Sequence, residues 1–87
     1  MASFKLVWRS STKKDLRKLP RPEVPRIIAA AEALATDPFS HGCEKLSGAE
    51  QTYRIRIGDY RLLYEVDATA HVVEIERVRH RKDVFRK

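Results

Sequence analysis

The sequence has few of the residues that build disulfide, metal or cofactor sites. Its 87 residues include one cysteine, Cys43, which excludes a disulfide framework and a cysteine metal cluster. The three histidines do not have the spacing of metal ligands. Neither a glycine-rich phosphate loop nor a Ser/His/Asp arrangement is present. We therefore expect no metal and no cofactor, and we interpret Cys43 as a small loop residue and His41 and His71 as surface residues.

Long apolar runs are also missing. No stretch is long enough to cross a bilayer, and Met1-Ala2-Ser3-Phe4 does not resemble the start of a signal peptide. These two observations predict a cytoplasmic protein without a membrane partner.

Acidic residues are in deficit. The 18 lysines and arginines outnumber the 12 aspartates and glutamates, which gives a net charge of +6. Most of the excess is arginine within segments that alternate with apolar residues, a pattern typical of a charged face on an ordered element. The expected partners are polyanions such as RNA, DNA or an acidic protein. A hydrophobic content of 43% argues against disorder, and the length predicts a single domain over residues 1–87.

The first half of the chain predicts a strand followed by two helices. Phe4–Trp8 alternates as a strand should, and Ser10-Ser11-Thr12 offers helix caps, with Thr12 and Asp15 forming a weak capping box. The first helix runs to about Leu19. The second is predicted over Glu23–Thr36, with Pro25 in its first turn and Pro38 just beyond its end. The Pro-x-Pro turn between them favours an antiparallel helical hairpin.

The second half predicts three strands joined by short turns. After a loop over Pro38–Gln51, the strands are Thr52–Ile57, Tyr60–Val66 and His71–Val78, followed by a basic tail over Arg79–Lys87. Gly58 first in a two-residue loop fits a type II′ hairpin turn. We therefore predict an α+β fold: strand, helix, helix and a three-stranded antiparallel meander, with the helical hairpin packed on one face of the sheet.

The predicted hairpin gathers arginines on one face of the sheet. If Ile57 pairs with Tyr60, Arg56 faces Arg61, and Arg54 lies on the same side. Like charges opposed across strands are destabilising, so the face needs either a counter-charge or an anionic ligand. One interpretation is a solvated face in which Glu76 pairs with Arg61. The other is a phosphate-binding face, because planar guanidiniums hold phosphates bidentately.

A second basic cluster, Arg77–Lys82, follows the last predicted strand. Such a run is often a solvated tail. His80 within it has the side-chain type that exchanges protons near neutral pH, so it is a candidate acid or base.

The ordered set of motifs resembles the RelE/ParE toxin superfamily. Lys45-Leu46-Ser47-Gly48 followed by Tyr53–Val66 is similar to the central signature of these toxins, and Val78–Phe85 is similar to their closing motif. The likeness extends over nearly the whole chain, including the helical hairpin and its Asp37-Pro38 end.

This resemblance implies a toxin of a type II toxin–antitoxin system. RelE-like members enter the ribosomal A site and cut messenger RNA by attack of a 2′-hydroxyl on the adjacent phosphate. The implied partners are the messenger on the ribosome and a cognate acidic antitoxin, with operator DNA reached only through the antitoxin.

The resemblance also assigns roles to individual residues. Arg54 and Arg56 match basic positions of the family, Arg61 matches the arginine that steadies the reacting phosphate, and Arg81 matches the arginine of the closing motif. The family often has tyrosine where Phe85 stands, which keeps a stacking surface but not a hydroxyl. Arginine stays protonated, so proton transfer falls to His80, to a loop carboxylate (Glu44 or Glu50), or to no side chain at all. The remaining expected RNA contacts are Lys45, Arg79, Lys82 and Phe85.

Two other functions fit the same residues. A ParE-like protein would poison DNA gyrase and cut nothing itself, and the Tyr60–Tyr64 strand does not distinguish it from a RelE-like nuclease. A basic module could also use its arginines only to bind an acidic antitoxin.

Overall fold

Two helices pack against a five-stranded sheet, so the predicted α+β fold is confirmed. The computed structural model describes residues 3–40, 42–46 and 51–80. The elements in chain order are β1 (Lys5–Trp8), α1 (Ser10–Arg17), α2 (Glu23–Thr36), β2 (Cys43–Lys45), β3 (Thr52–Ile57), β4 (Tyr60–Asp67) and β5 (Val72–His80).

The sheet order is β1-β5-β4-β3-β2. β1 pairs in parallel with β5, and the other neighbours are antiparallel, so the meander lies in the middle of a mixed sheet. The prediction of an uninterrupted loop over Pro38–Gln51 was wrong, because Cys43–Lys45 forms an edge strand against β3. Three residues are too few to show an alternating pattern in the sequence. Cys43 is therefore a half-buried strand residue rather than a loop residue.

The β3–β4 hairpin has the predicted register. Ile57 pairs with Tyr60, and Arg56 pairs with Arg61. Gly58 adopts a φ of 61°, and Asp59 does not have a positive φ. A positive φ at the first turn residue alone is the signature of a type II′ turn.

A β-bulge shifts the register between β4 and β5. Tyr64 pairs with Ile75 but Leu63 pairs with Arg77, which leaves Glu76 as the extra residue. The strand predicted over His71–Val78 spans Val72–His80 in the structure. His71 lies in the preceding turn, with a φ of 57°. The bulge keeps Ile75 and Val78 on the buried face although they are three positions apart.

The second helix has the predicted bounds, whereas the predicted cap of the first was wrong. Pro25 lies in the first turn of α2, and Ile27, Ala31 and Leu34 of its apolar stripe are buried. α1 begins after Arg9 without a side-chain cap, and it ends at Arg17 rather than near Leu19.

The core lies between α2 and one face of the sheet. Alternate residues of β4 and β5 fill it, together with the stripe of α2. Tyr64 is fully buried, and its hydroxyl donates a 2.8 Å hydrogen bond to the carbonyl oxygen of Pro38. Burial raises the pKa of the Tyr64 phenol well above its usual range, so this hydroxyl stays a donor. Within the described ranges, neither helix has the length and apolar character that crossing a membrane requires.

Candidate nucleic-acid interface

An arginine row crosses three neighbouring strands on the sheet face opposite the core. Arg56 of β3 pairs with Arg61 of β4, and Arg61 pairs with Arg79 of β5. The buried residues of β4 alternate with Arg61, so Arg61 points away from the helices. Paired residues on adjacent strands have Cα atoms about 4.5–5.5 Å apart, which brings the three side chains onto one patch. We call Arg56, Arg61 and Arg79 the arginine row.

Arg54 lies beside the arginine row. It faces Leu63 across the hairpin, one pleat along β3 from Arg56. Glu44 of the edge strand lies opposite it, with 3.6 Å between the Arg54 Nε and the Glu44 Oε1 atoms. The Nε atom is buried and makes no hydrogen bond within the described part of the chain. Arg54 is thus partly neutralised by an exposed carboxylate, while Arg56 is exposed and donates from Nε to the Gly58 carbonyl at 3.1 Å.

A carboxylate cluster occupies the other end of the same face. Glu65, Glu74 and Glu76 place oxygen atoms within 4.8 Å of one another. The Arg9 guanidinium reaches all three carboxylates, at 3.9, 3.1 and 3.4 Å respectively. The predicted placement of Glu76 beside Arg61 was wrong, because the bulge puts Arg79 opposite Arg61 and leaves Glu76 next to Arg9. The carboxylates therefore form a separate cluster around Arg9.

Glu76 is the least exposed member of the carboxylate cluster, with a side chain 16% exposed. Burial raises its pKa from 4.5 to about 7, and a hydrogen bond and repulsion from Glu65 add to the shift while Arg9 opposes it. A proton shared within the cluster relieves repulsion between its carboxylates at neutral pH.

Arg77 is held by α1. Its guanidinium donates two hydrogen bonds to Asp15, at 3.0 and 3.1 Å, and the Asp15 Oδ2 atom also accepts the Val78 amide at 2.9 Å. Asp15 and Thr12 therefore bind β5 rather than cap their own helix, and the Thr12 hydroxyl donates to the Ile75 carbonyl at 2.7 Å. This contact keeps Arg77 at the boundary between α1 and β5.

His80 ends β5 beside a cavity of about 260 Å³. It pairs with Tyr60, and the two rings meet edge to face with centroids 5.2 Å apart. Since successive strand residues alternate sides, the His80 ring lies on the Tyr60 side of β5, whereas Arg79 lies on the side of the arginine row. The cavity is lined by Asp15, Lys18, Leu19, Tyr60, Arg77, Val78, Arg79 and His80.

Lys45 lies apart from the arginine row. It is exposed on the edge strand and pairs with Tyr53, on the helix side of the sheet. Other predicted site residues lie outside the described residues: Arg81, Lys82, Phe85 and the candidate base Glu50. The described candidates that the fold brings together are Arg54, Arg56, Arg61 and Arg79.

The arginine row, with Arg54 beside it, is suited to binding a phosphodiester. Guanidiniums present planar pairs of donors that match phosphate oxygens, and several on a rigid sheet need little rearrangement to bind an extended anion. Charge that develops on a phosphate during bond rearrangement would be stabilised by the same donors.

Comparison with known proteins assigns the chain to a family. The family model of the ParE toxin of type II toxin–antitoxin systems, parDE, matches residues 6–85. The chain belongs to the RelE/ParE toxin superfamily. It is the toxin of a type II toxin–antitoxin system. Toxin RelG from Mycobacterium tuberculosis is 36% identical over 83 residues, a match that covers 90% of this chain and 91% of the relative.

Solved RelE/ParE structures share the fold. The RelBE2 toxin–antitoxin complex from Mycobacterium tuberculosis contains a chain that matches with a TM-score of 0.81 and 29% identity, covering 90% of this toxin and 98% of that chain. The RelE–RelB complex from Pyrococcus horikoshii gives a TM-score of 0.80 and 26% identity, covering 91% and 96%.

Three features of this toxin's site were missed in the sequence. Arg9 belongs to none of the sequence motifs, yet it forms ion pairs with all three members of the carboxylate cluster. The bulge had a visible signal, since Ile75 and Val78 are three apart in a strand that otherwise alternates. The role of Asp15 had no local signal, because its partners are more than 60 positions away.

Proposed function

We propose that this toxin is an endoribonuclease that cuts messenger RNA in the ribosomal A site. The 2′-hydroxyl attacks the adjacent phosphate, giving a 2′,3′-cyclic phosphate and releasing the next nucleotide with a 5′-hydroxyl. The single observation that supports this proposal is the pairing of Arg56, Arg61 and Arg79 at matched positions of three strands. A fold that keeps three like charges opposed gains most when an anion lies across them.

Each arginine has a role in this proposal. Arg61, at the centre of the arginine row, holds the reacting phosphate, and Arg56 and Arg79 hold its neighbours. Arg54 adds charge from β3, and Arg81, outside the described residues, adds a further guanidinium by its family position. These groups stabilise the charge that grows on the phosphate, and loss of one such donor commonly costs about 10²–10³ in rate.

Proton transfer is assigned to His80, because an imidazole can both donate and accept a proton. The arginines cannot act as a base, and the His80 ring lies on the other side of β5 from the arginine row, so alignment of the attacking hydroxyl is left to the ribosome. Free RNA is therefore expected to remain largely uncut.

The proposed protein partner is an acidic antitoxin. The solved relatives named above are complexes of RelE-type toxins with RelB-type antitoxins. A net charge of +6 favours an acidic partner, which would lay an amphipathic helix along the toxin surface and link it to operator DNA.

A second candidate is inhibition of DNA gyrase without cleavage. The matching family model is that of ParE toxins, which supports keeping this alternative. The arginine row favours the nuclease, because a protein that only blocks another enzyme does not need a phosphate-binding group of arginines in the middle of its sheet face.

The test is to express the toxin in a translation extract and map messenger ends by primer extension. Wild-type toxin should produce ribosome-dependent cuts, and Arg61→Ala should reduce their rate about 10²–10³-fold. Arg21→Ala is the matched control, because it removes the same charge from an exposed residue between the helices. It should leave cleavage unchanged.

Gyrase supercoiling is assayed with the same preparations. Blocked supercoiling with intact messages would replace the nuclease proposal with the second candidate. If the toxin affects neither messages nor supercoiling, binding of the antitoxin is the only role left for the arginine row.

A further inference from the structure

The edge of β5 changes partner half-way along its length. β1 covers this edge only from Val72 to Ile75. Beyond Ile75, side chains of α1 take over: Ser11 donates to the Glu76 carbonyl at 2.8 Å, and Asp15 accepts from the Val78 amide at 2.9 Å. The first helix thus replaces a missing strand along the end of β5.

Among these contacts, the one made by Asp15 lies nearest to Arg79 of the arginine row. The Asp15 side chain is 10% exposed, and it accepts three hydrogen bonds, two from the Arg77 guanidinium and one from the Val78 amide. A carboxylate that is this well hydrogen-bonded holds both the backbone and a side chain of its partner strand. The next residues along β5 are Arg79, which belongs to the arginine row, and His80.

The geometry points to Asp15 as a positioning residue for the end of β5, acting through Val78 on Arg79 and His80. This inference rests on the proposed nuclease activity for its kinetic consequence, but not for its structural one. Asp15 itself is assigned no contact with substrate. It fixes the strand end, so that Arg79 stays in line with Arg61 and Arg56.

Thr12 provides a matched control within the same helix. It is fully buried and donates to the Ile75 carbonyl, on the other side of the bulge from Val78. Thr12→Val removes one hydrogen bond between α1 and β5 while leaving the Asp15 contacts in place. If Asp15 only held the helix on the sheet, neither substitution would single out Arg79 and His80 for faster exchange.

The experiment compares Asp15→Ala, Asp15→Asn and Thr12→Val in the full-length toxin. Amide hydrogen exchange followed by NMR is the first readout, and it needs no activity. Asp15→Ala should speed exchange at Arg79 and His80, whereas Thr12→Val should not. Asp15→Asn keeps an oxygen for the Val78 amide but loses the charge that pairs with Arg77, so its effect should be intermediate.

Single-turnover cleavage on purified ribosomes is the second readout. Asp15→Ala should lower the rate at saturating ribosomes about 10–100-fold, because a displacement of about 1 Å at a reacting group costs this much. The ribosome concentration for half-maximal rate should stay unchanged, and Thr12→Val should cleave as wild type does.

The two readouts separate the two proposals. Wild-type toxin that cuts nothing would refute the nuclease activity, and exchange at Arg79 and His80 would still decide the role of Asp15. Equal exchange in Asp15→Ala and Thr12→Val would overturn that role, as would equal losses of cleavage rate in the two variants. If Asp15→Ala does not fold, the same comparison is made with Asp15→Asn.

Discussion

Glu76→Gln should stabilise the toxin at high pH but not at low pH. Glu76 has the most buried side chain of the three in the carboxylate cluster, and its pKa is raised from 4.5 to about 7. The folded state therefore retains a proton that the unfolded chain releases. The stability contributed by this group is complete below pH 4.5 and is lost as the pH rises through about 7.

The magnitude follows from the shift and from the exposure of the neighbouring groups. A pKa shift of this size corresponds to at most about 3 kcal/mol of unfolding free energy between low and high pH. The Arg9 and Glu65 side chains are 46% and 38% exposed, so solvent screens their interactions with Glu76. After this screening we expect about 1–2 kcal/mol. Glutamine mimics the protonated acid and removes the penalty of ionisation.

The assay is urea denaturation followed by circular dichroism at pH 5 and pH 8. Glu76→Gln should exceed wild type by about 1–2 kcal/mol in unfolding free energy at pH 8, and most of this difference should be gone at pH 5. Glu32→Gln, at an exposed position of α2, is the control and should show no pH-dependent difference. A Glu76→Gln effect that is equal at both pH values, or larger at pH 5, would refute the reasoning.

Two further predictions concern Tyr64 and His80. Tyr64→Phe leaves the Pro38 carbonyl without its buried donor and should cost about 1–3 kcal/mol in urea denaturation, whereas a cost near zero would show that this hydrogen bond contributes nothing. His80→Phe keeps an aromatic ring against Tyr60 but cannot transfer protons, so cleavage on ribosomes should fall about 10²-fold or more with little change in melting temperature. A His80→Phe variant that cleaves normally would show that the ring serves only in packing.

The local parts of the fold could be predicted from the sequence. The bounds of α2 follow from its apolar stripe and from the prolines near its ends, and the hairpin register follows from Gly58 and the alternation around it. These signals lie within a few residues of the elements that they specify. They are sufficient by themselves to place Arg56 opposite Arg61.

The long-range parts could not be predicted in the same way. Pairing of β1 with the far end of the chain, and binding of Asp15 to β5, depend on residues more than 60 positions apart. Because of the bulge at Glu76, Arg61 pairs with Arg79 and not with Glu76, the acidic partner expected from the sequence. That single shift places a third guanidinium, rather than the Glu76 carboxylate, opposite Arg61.

In the proposed reaction, the arginine row holds a messenger phosphate during attack by the neighbouring 2′-hydroxyl. The most direct measurement is single-turnover cleavage on purified ribosomes that carry a defined message, either all-ribose or with one 2′-deoxy nucleotide on the 5′ side of the cleaved bond. We expect cuts ending in a 2′,3′-cyclic phosphate in the first message, none at that bond in the second, and a strongly reduced rate with Arg61→Ala. Cleavage of the 2′-deoxy message at the same bond, or an Arg61→Ala rate equal to wild type, would contradict the claim.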